Sequence, residues 1–157
     1  MTDRSRILAA AAALALSPLA LAGCSAGGEQ EFAQAVPAAV AAADPNIVDS
    51  HLSFTNGPAG VGFWLRIYVG DDADDAVAAS VDAAFAAAFH ASPSLPSAIV
   101  LDVARGPKPS RVSARVGQVP LDEVAPRLGL AASTADDRIT LSPDDLADRY
   151  GAWGGDR

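Results

Sequence analysis

Residues 62–70 read GFWLRIYVG, and residues 71–91 read DDADDAVAASVDAAFAAAFHA. The first stretch is rich in aromatic and β-branched residues and is bounded by glycines, which predicts a strand. The second stretch carries a large apolar residue at every fourth position from Val77 to Phe89, which predicts an amphipathic helix that ends at Ser92-Pro93. The sequence therefore predicts a strand that is followed directly by a helix, and these two elements form the centre of the predicted fold.

The acidic run at residues 71–75 allows two interpretations. Carboxylates stabilise the positive end of a helix, and they also bind calcium. The run lacks the glycine and the distal glutamate of an EF-hand loop, so we expect a helix start. His51 and His90 are isolated in the sequence, and His90 fits the end of this helix as a cation. We therefore expect no metal site and no cofactor.

The segment before residue 62 predicts the other half of a hairpin. Residues 47–54 alternate, and residues 56–60 (NGPAG) form a turn cluster, so residues 47–69 are expected to form two paired strands. Trp64 and Tyr68 share one face of the second strand with Arg66. The aromatic pair is either a ligand platform or, as we expect, a pair packed under a helix. The opposite face carries Phe63, Leu65, Ile67 and Val69.

An earlier amphipathic helix is predicted over residues 31–43, which end at Asp44-Pro45. Its apolar residues recur at every fourth position, but Pro37 interrupts them. Either the helix proper begins near Pro37 after a loose first turn, or it is kinked there.

The second half of the chain predicts shorter elements. Residues 98–104 read as a buried strand, and the alternating residues 110–116 are expected to complete a second hairpin with it. A short helix ending at Gly129 and a strand over residues 137–141 follow. Ser142-Pro143 then provides the cap and first position of a terminal helix. Its buried stripe is Leu146, Tyr150 and Trp153. This order predicts an α+β fold with a mainly antiparallel sheet and helices packed on one face.

Four of the basic residues are concentrated between residues 105 and 115, and we identify them as candidates for contact with an anionic surface. They are Arg105, Lys108, Arg111 and Arg115. Lipid head groups and anionic wall polymers attract such residues. The alternative is that the charges protect an exposed strand from pairing at its edge.

Residues 1–23 have the layout of a cleavable secretory signal. Arg4 and Arg6 precede an apolar run over residues 7–22 that ends in small residues. The run is shorter than the roughly 20 residues that a spanning helix needs. The alternative, a membrane helix that stays attached, is therefore the less favoured interpretation.

The junction Leu21-Ala22-Gly23-Cys24 resembles the lipobox of bacterial lipoproteins. The resemblance implies that Cys24 becomes the lipid-modified first residue of the mature chain, with two or three acyl chains for stable anchoring. The predicted organisation is a signal peptide (1–23), a lipid-proximal tether (24–30) and one α+β domain (31–157). The whole is similar to uncharacterised lipoproteins of high-GC Gram-positive bacteria. The helix–hairpin–helix–strand order of residues 31–104, with the phrase Asp44-Pro45-Asn46-Ile47, resembles the BON domain of envelope proteins, which is linked to membrane surfaces.

Charge and motifs limit the function classes. The 157-residue chain, of net charge -8, would lose its first 23 residues, leaving 134; the loss of Asp3, Arg4 and Arg6 makes the net charge -9. Such an acidic body argues against a nucleic-acid partner. The sequence has no Gly-x-Ser-x-Gly elbow, phosphate loop or dinucleotide fingerprint, so we expect no catalytic residues and no enzyme.

We therefore expect a lipid-anchored protein on the extracytoplasmic face of the cell membrane. Its expected role is a non-catalytic interaction module whose partner is an envelope protein or an anionic polymer. The alternatives are a small-ligand-binding lipoprotein associated with a transporter and a BON-like membrane-surface module.

Overall fold

The computed structural model describes residues 26–113 and 116–154. Within these ranges, helices are interspersed along the chain with strands that form a single sheet. In chain order they are α1 (Ala26–Ala43), β1 (Ile47–Gly57), β2 (Gly60–Val69), α2 (Asp74–Ala91), β3 (Ile99–Arg105), α3 (Val124–Arg127), a 3-10 turn (Ala131–Ser133), β4 (Thr134–Ala135), β5 (Arg138–Leu141) and α4 (Pro143–Tyr150).

The five strands of the described residues form one mixed sheet in the order β1-β2-β3-β5-β4. β2 and β3 are parallel, with α2 as the crossover that a parallel pair requires. The other three pairings are antiparallel. The predicted α+β class with a mainly antiparallel sheet is confirmed.

The β1–β2 hairpin also follows the prediction. Gly57 pairs with Gly60 across a two-residue turn at Pro58-Ala59, and Gly60 has a φ of 110°, which glycine adopts without strain. Near the other end, the register shifts between Ile47 and Asp49, so Val48 bulges out of the ladder and is 54% exposed.

The helices pack on the sheet face that carries the odd-numbered residues of β2. Phe32 near the start of α1 lies 5.7 Å, ring to ring, from Phe63, and Val77, Val81, Phe85 and Phe89 of α2 are fully buried. β3 and β5 add apolar side chains to the same core. They are Ile99, Leu101, Val103, Ile139 and Leu141. The predicted helix start at the acidic run is also confirmed, since α2 begins at Asp74.

Helix α1 differs from the predicted helix over residues 31–43 at its beginning. It starts at Ala26 and continues through Pro37 to Ala43, so the interpretation that the helix begins near Pro37 is wrong. Residues 26–30 of the predicted tether are therefore helical. A proline inside a helix removes one hydrogen bond, and burial of Phe32, Val36 and Val40 offsets that loss.

The predicted second hairpin is wrong in the described residues. Residues 110–113 form no strand, and β3 pairs with β2 and β5 instead. The chain beyond Gly106 leaves the sheet and returns at Gln118, which makes an isolated bridge with Ala104. Between these points the carbonyl of Ser113 accepts a hydrogen bond from a buried arginine of β2. The alternation of apolar residues in the local sequence gives no sign of this long-range contact.

The terminal helix α4 docks as predicted. Ser142 caps it through a complete capping box with Asp145, and Leu146 is fully buried. Tyr150 donates its hydroxyl to Asp82 of α2 at 2.9 Å, and Trp153 donates its indole Nε1 to the carbonyl of Ser92 at 3.1 Å. These contacts join the chain after β5 to the middle of α2 and to the residue that follows its C-terminal end.

Replacing Trp153 by Ala should lower the free energy of unfolding by about 2 kcal/mol, below the value for a fully buried Trp because the side chain is half-buried. Urea denaturation would measure the change, and Ala152→Ser, at an exposed neighbouring position, serves as the control. Equal stability of the Trp153→Ala variant and the wild type would contradict the docking of this segment.

Candidate functional site

The sheet face opposite the helices carries the even-numbered residues of β2. Trp64, Arg66 and Tyr68 lie on it, and their register partners are Ser53, His51 and Asp49 of β1. The prediction that Trp64 and Tyr68 pack under a helix is therefore wrong, because α1 and α2 pack on the other face. Trp64 is half-buried and Tyr68 is fully buried. This helix-free face is the first candidate surface.

A buried ion pair holds the centre of the helix-free face. Arg66 donates from Nε and an Nη atom to the two carboxylate oxygens of Asp102, at 2.8 and 2.7 Å, and both side chains are fully buried. The hydrogen bond to Asp102 raises the pKa of Arg66 above its ordinary value. Such a bidentate pair is strong and fixes the orientation of both groups. The guanidinium of Arg66 also donates to the carbonyl of Ser113.

The indole of Trp64 lies close to two guanidinium groups. Those of Arg66 and Arg138 lie 5.1 and 5.8 Å from its ring centroid, which places both in the range of cation–π contacts. The Nε atom of Arg138 is 3.8 Å from Asp102. Within the described residues the indole nitrogen of Trp64 has no hydrogen-bond partner.

His51 is an edge-on neighbour of Trp64, with 5.8 Å between the ring centroids. Burial lowers the pKa of His51, and the nearby charges of Lys108 and Arg66 lower it further. This shift favours the neutral form of the imidazole. The carboxylate of Asp102, whose two oxygens accept from Arg66, acts on the pKa of His51 in the opposite direction.

The structure describes three of the four predicted surface-contact residues, and two of these have partners within the chain. Arg105 forms an ion pair with Asp72, and Lys108 donates to the carbonyl of Ser50 at 2.7 Å. Arg111 is exposed. Arg115, like Cys24, lies outside the described residues. Contact with an anionic surface remains a prediction, and the alternative of a protected edge strand loses its strand over residues 110–113.

The acids at the start of α2 are bound by cations of the chain itself. Arg127 donates to Asp74 and Asp75 at 2.8 and 2.7 Å, and Arg105 pairs with Asp72. Across residues 26–113 and 116–154, no group of three or more acidic, histidine or cysteine side chains is arranged to hold a metal ion.

A groove of about 490 Å³ lies beside β1 and is the second candidate surface. Its α1 side consists of small residues, and its β1 side runs from the bulged Val48 to Leu52 with Lys108 beside it. The α1 residues are Ala33, Pro37, Ala38 and Ala41. Because none of these α1 side chains is large, the space next to the strand stays open.

The main chain of β1 is directed into solvent at alternate residues. In β2, the amide of Phe63 and the carbonyl of Val69 bond on the β3 side. The odd-numbered residues of β2 therefore point their main chain toward β3 and the even-numbered ones toward β1. By the register, Ser50, Leu52 and Phe54 of β1 then direct their amides and carbonyls outward.

Ser50 confirms this direction, and its outward groups are already occupied. Its amide donates to the carboxylate of Asp49 at 2.7 Å, and its carbonyl accepts from Lys108. No other element within the described residues bonds the outward groups of Leu52 and Phe54. The strand edge is thus capped at Ser50 and free for the next four residues.

Sequence reasoning missed both the Arg66–Asp102 pair and the groove. A signal for the pair was present, since each of two strongly apolar strands carries one charge of opposite sign. The groove had no local signal, because it depends on where α1 lies relative to β1.

Comparison with protein-family models, with curated proteins and with solved structures finds no match for this chain. The element order from α1 to β3 is the helix–hairpin–helix–strand order of the BON resemblance, which remains a resemblance in topology. In the described part of the chain, no helix is long and apolar enough to cross a membrane.

Asp102→Ala should destabilise the protein by about 3 to 5 kcal/mol, because it leaves the buried Arg66 without its counter-charge. The double variant Arg66→Met, Asp102→Leu should recover most of that loss, since it removes both charges. Urea denaturation of the two variants gives the comparison. A double variant no more stable than Asp102→Ala would contradict the inferred role of the pair.

Proposed function

We propose that this chain is a lipid-anchored protein on the extracytoplasmic face of the cell membrane, where it acts as a non-catalytic interaction module. The observation that carries the anchoring is the sequence Leu21-Ala22-Gly23-Cys24 after a basic start and an apolar run. Cys24 is the only cysteine of the chain. Lipidation gives this cysteine a role that does not require a free, reactive thiol.

The interaction role is supported by the groove and the adjacent edge of β1. An extended segment of a partner protein adds to such an edge through main-chain hydrogen bonds, and side-chain pockets supply the specificity. Leu52 and Phe54 offer the outward amides and carbonyls, and the small residues of α1 leave room for the side chains of the added segment. The partner is thus an envelope protein with an extended segment.

A second candidate function is supported by the size of the groove. Sites for small molecules commonly have volumes of about 300–1,000 Å³, and this groove is about 490 Å³. A ligand-binding lipoprotein that works with a transporter is therefore the alternative. The two candidates differ in what a cross-linker placed in the groove should capture: a protein in the first case and no protein in the second.

Metabolic labelling with a palmitate analogue should tag the wild-type protein but not Cys24→Ala, because the acyl chains require the Cys24 residue. In-gel fluorescence of the immunoprecipitated protein gives the readout, and Ser25→Ala, which keeps the cysteine, is the matched control. Label retained by Cys24→Ala would refute the lipobox assignment.

A photo-reactive amino acid at Ala38, in the groove, should yield one discrete protein adduct in the cells that produce the protein. The same amino acid at Ala79, an exposed position on α2, should not. Leu52→Pro removes an outward amide without breaking the β1–β2 ladder, so it should abolish the adduct. Leu52→Ala keeps the amide and should retain it. An adduct that survives Leu52→Pro would contradict strand addition.

A further inference from the structure

One end of the domain lies next to the lipid anchor. Helix α1 begins at Ala26, two residues after Cys24, and two residues of chain span at most about 7 Å. At the start of α1, Glu29 accepts a hydrogen bond from Asn56, beside the β1–β2 turn. A lipid on Cys24 therefore brings the turn at Pro58-Ala59 close to the bilayer surface.

A second loop lies at the same end of the sheet. Ser97 donates its amide to the carbonyl of Val61, and Phe63 donates its amide to Ala98. The loop over residues 92–98 thus sits against the start of β2. It exposes Leu95, which is 49% accessible and one of three large apolar residues exposed in the described ranges. The indole of Trp153, a residue type enriched at membrane interfaces, bonds to this loop at Ser92.

Charge is distributed unequally between the two ends. Residues 52–65 and 91–101, which form the β1–β2 turn with its flanks and the second loop, contain no Asp, Glu, Lys or Arg. Acids near this end are Glu29 and Glu31 on α1 and, across the sheet beyond β5, Asp144 and Asp145.

The opposite end of the sheet, about 30 Å away along the ten residues of β2, is highly charged. Its charged residues include Asp49, Asp71, Asp72, Asp74, Asp75, Arg105, Lys108 and Arg127. An anionic bilayer repels the excess of acids there.

We propose that the uncharged end, made of the β1–β2 turn and the loop carrying Leu95, rests on the bilayer surface with Leu95 at the depth of the head groups. The inference rests on the proposed lipidation of Cys24 and adds the orientation of the domain. The surface that this end of the domain contacts is the lipid bilayer, whereas the protein partner binds at the groove. The groove beside β1 then runs away from the membrane, along the strand, and is open to proteins of the envelope.

The orientation is tested with the full-length, lipidated protein in vesicles of phosphatidylglycerol and phosphatidylcholine. Lipidation blocks Cys24, so Leu95→Cys and Ala73→Cys each offer one thiol for an environment-sensitive maleimide fluorophore. Both positions are exposed, and Ala73 lies at the charged end. Head-group-level spin-labelled lipids should quench the Leu95→Cys probe roughly threefold more than the Ala73→Cys probe. Ala59→Cys, in the turn, should follow Leu95→Cys.

Two results overturn the proposal, and they differ. If the protein floats with the vesicles but quenching is equal at positions 95 and 73, or greater at 73, the anchoring stands and the orientation is wrong. If the wild-type protein itself reacts with maleimide and does not float, Cys24 is unmodified, and both the proposed lipidation and the orientation fail.

Discussion

Burial of β2 on both faces is the constraint on which the rest of the structure depends. Its odd-numbered side chains fill the helix-facing core, and its even-numbered ones place Arg66 in the interior of the opposite face. A buried guanidinium needs a counter-charge and several acceptors. Asp102 must therefore lie opposite on β3, and the chain after Gly106 must return across this face so that Ser113 can supply a carbonyl.

Elements that local sequence determines were predictable, whereas a segment held by a contact to the buried β2 was not. Strand β2 and helix α2 have strong local periodicity, and the capping sequence at Ser142 defines α4 by itself. The alternation of residues 110–116 is also local, but the carbonyl of Ser113 accepts a hydrogen bond from the distant Arg66, and residues 110–113 form no strand. For β2, α2 and α4, the local sequence pattern and the tertiary contacts favour the same structure. For the segment that contains Ser113, they favour different structures.

The candidate surfaces were less predictable for the same reason. Sequence alternation placed Trp64 and Arg66 on one face of a strand, but it could not show that helices cover the other face. The groove arises because the small residues of α1 lie beside the edge of β1, and Pro37, which suggested a break, is part of its lining. Cys24 is the opposite case, because the lipobox pattern around it is a feature of the sequence alone and the described residues begin after it.

The two edges of the sheet are unequal, and this limits how copies of the protein can polymerise. The β4 edge is two residues long and is followed by Asp136 and Asp137, whose positive φ values turn the chain sharply. The β1 edge is eleven residues long, with Ser50 capped by Asp49 and Lys108. A fibre grows through sheets only if each copy offers two pairable edges. With one blunt edge, pairing at β1 ends after a single event, so a high local concentration of the protein does not lead to runaway assembly.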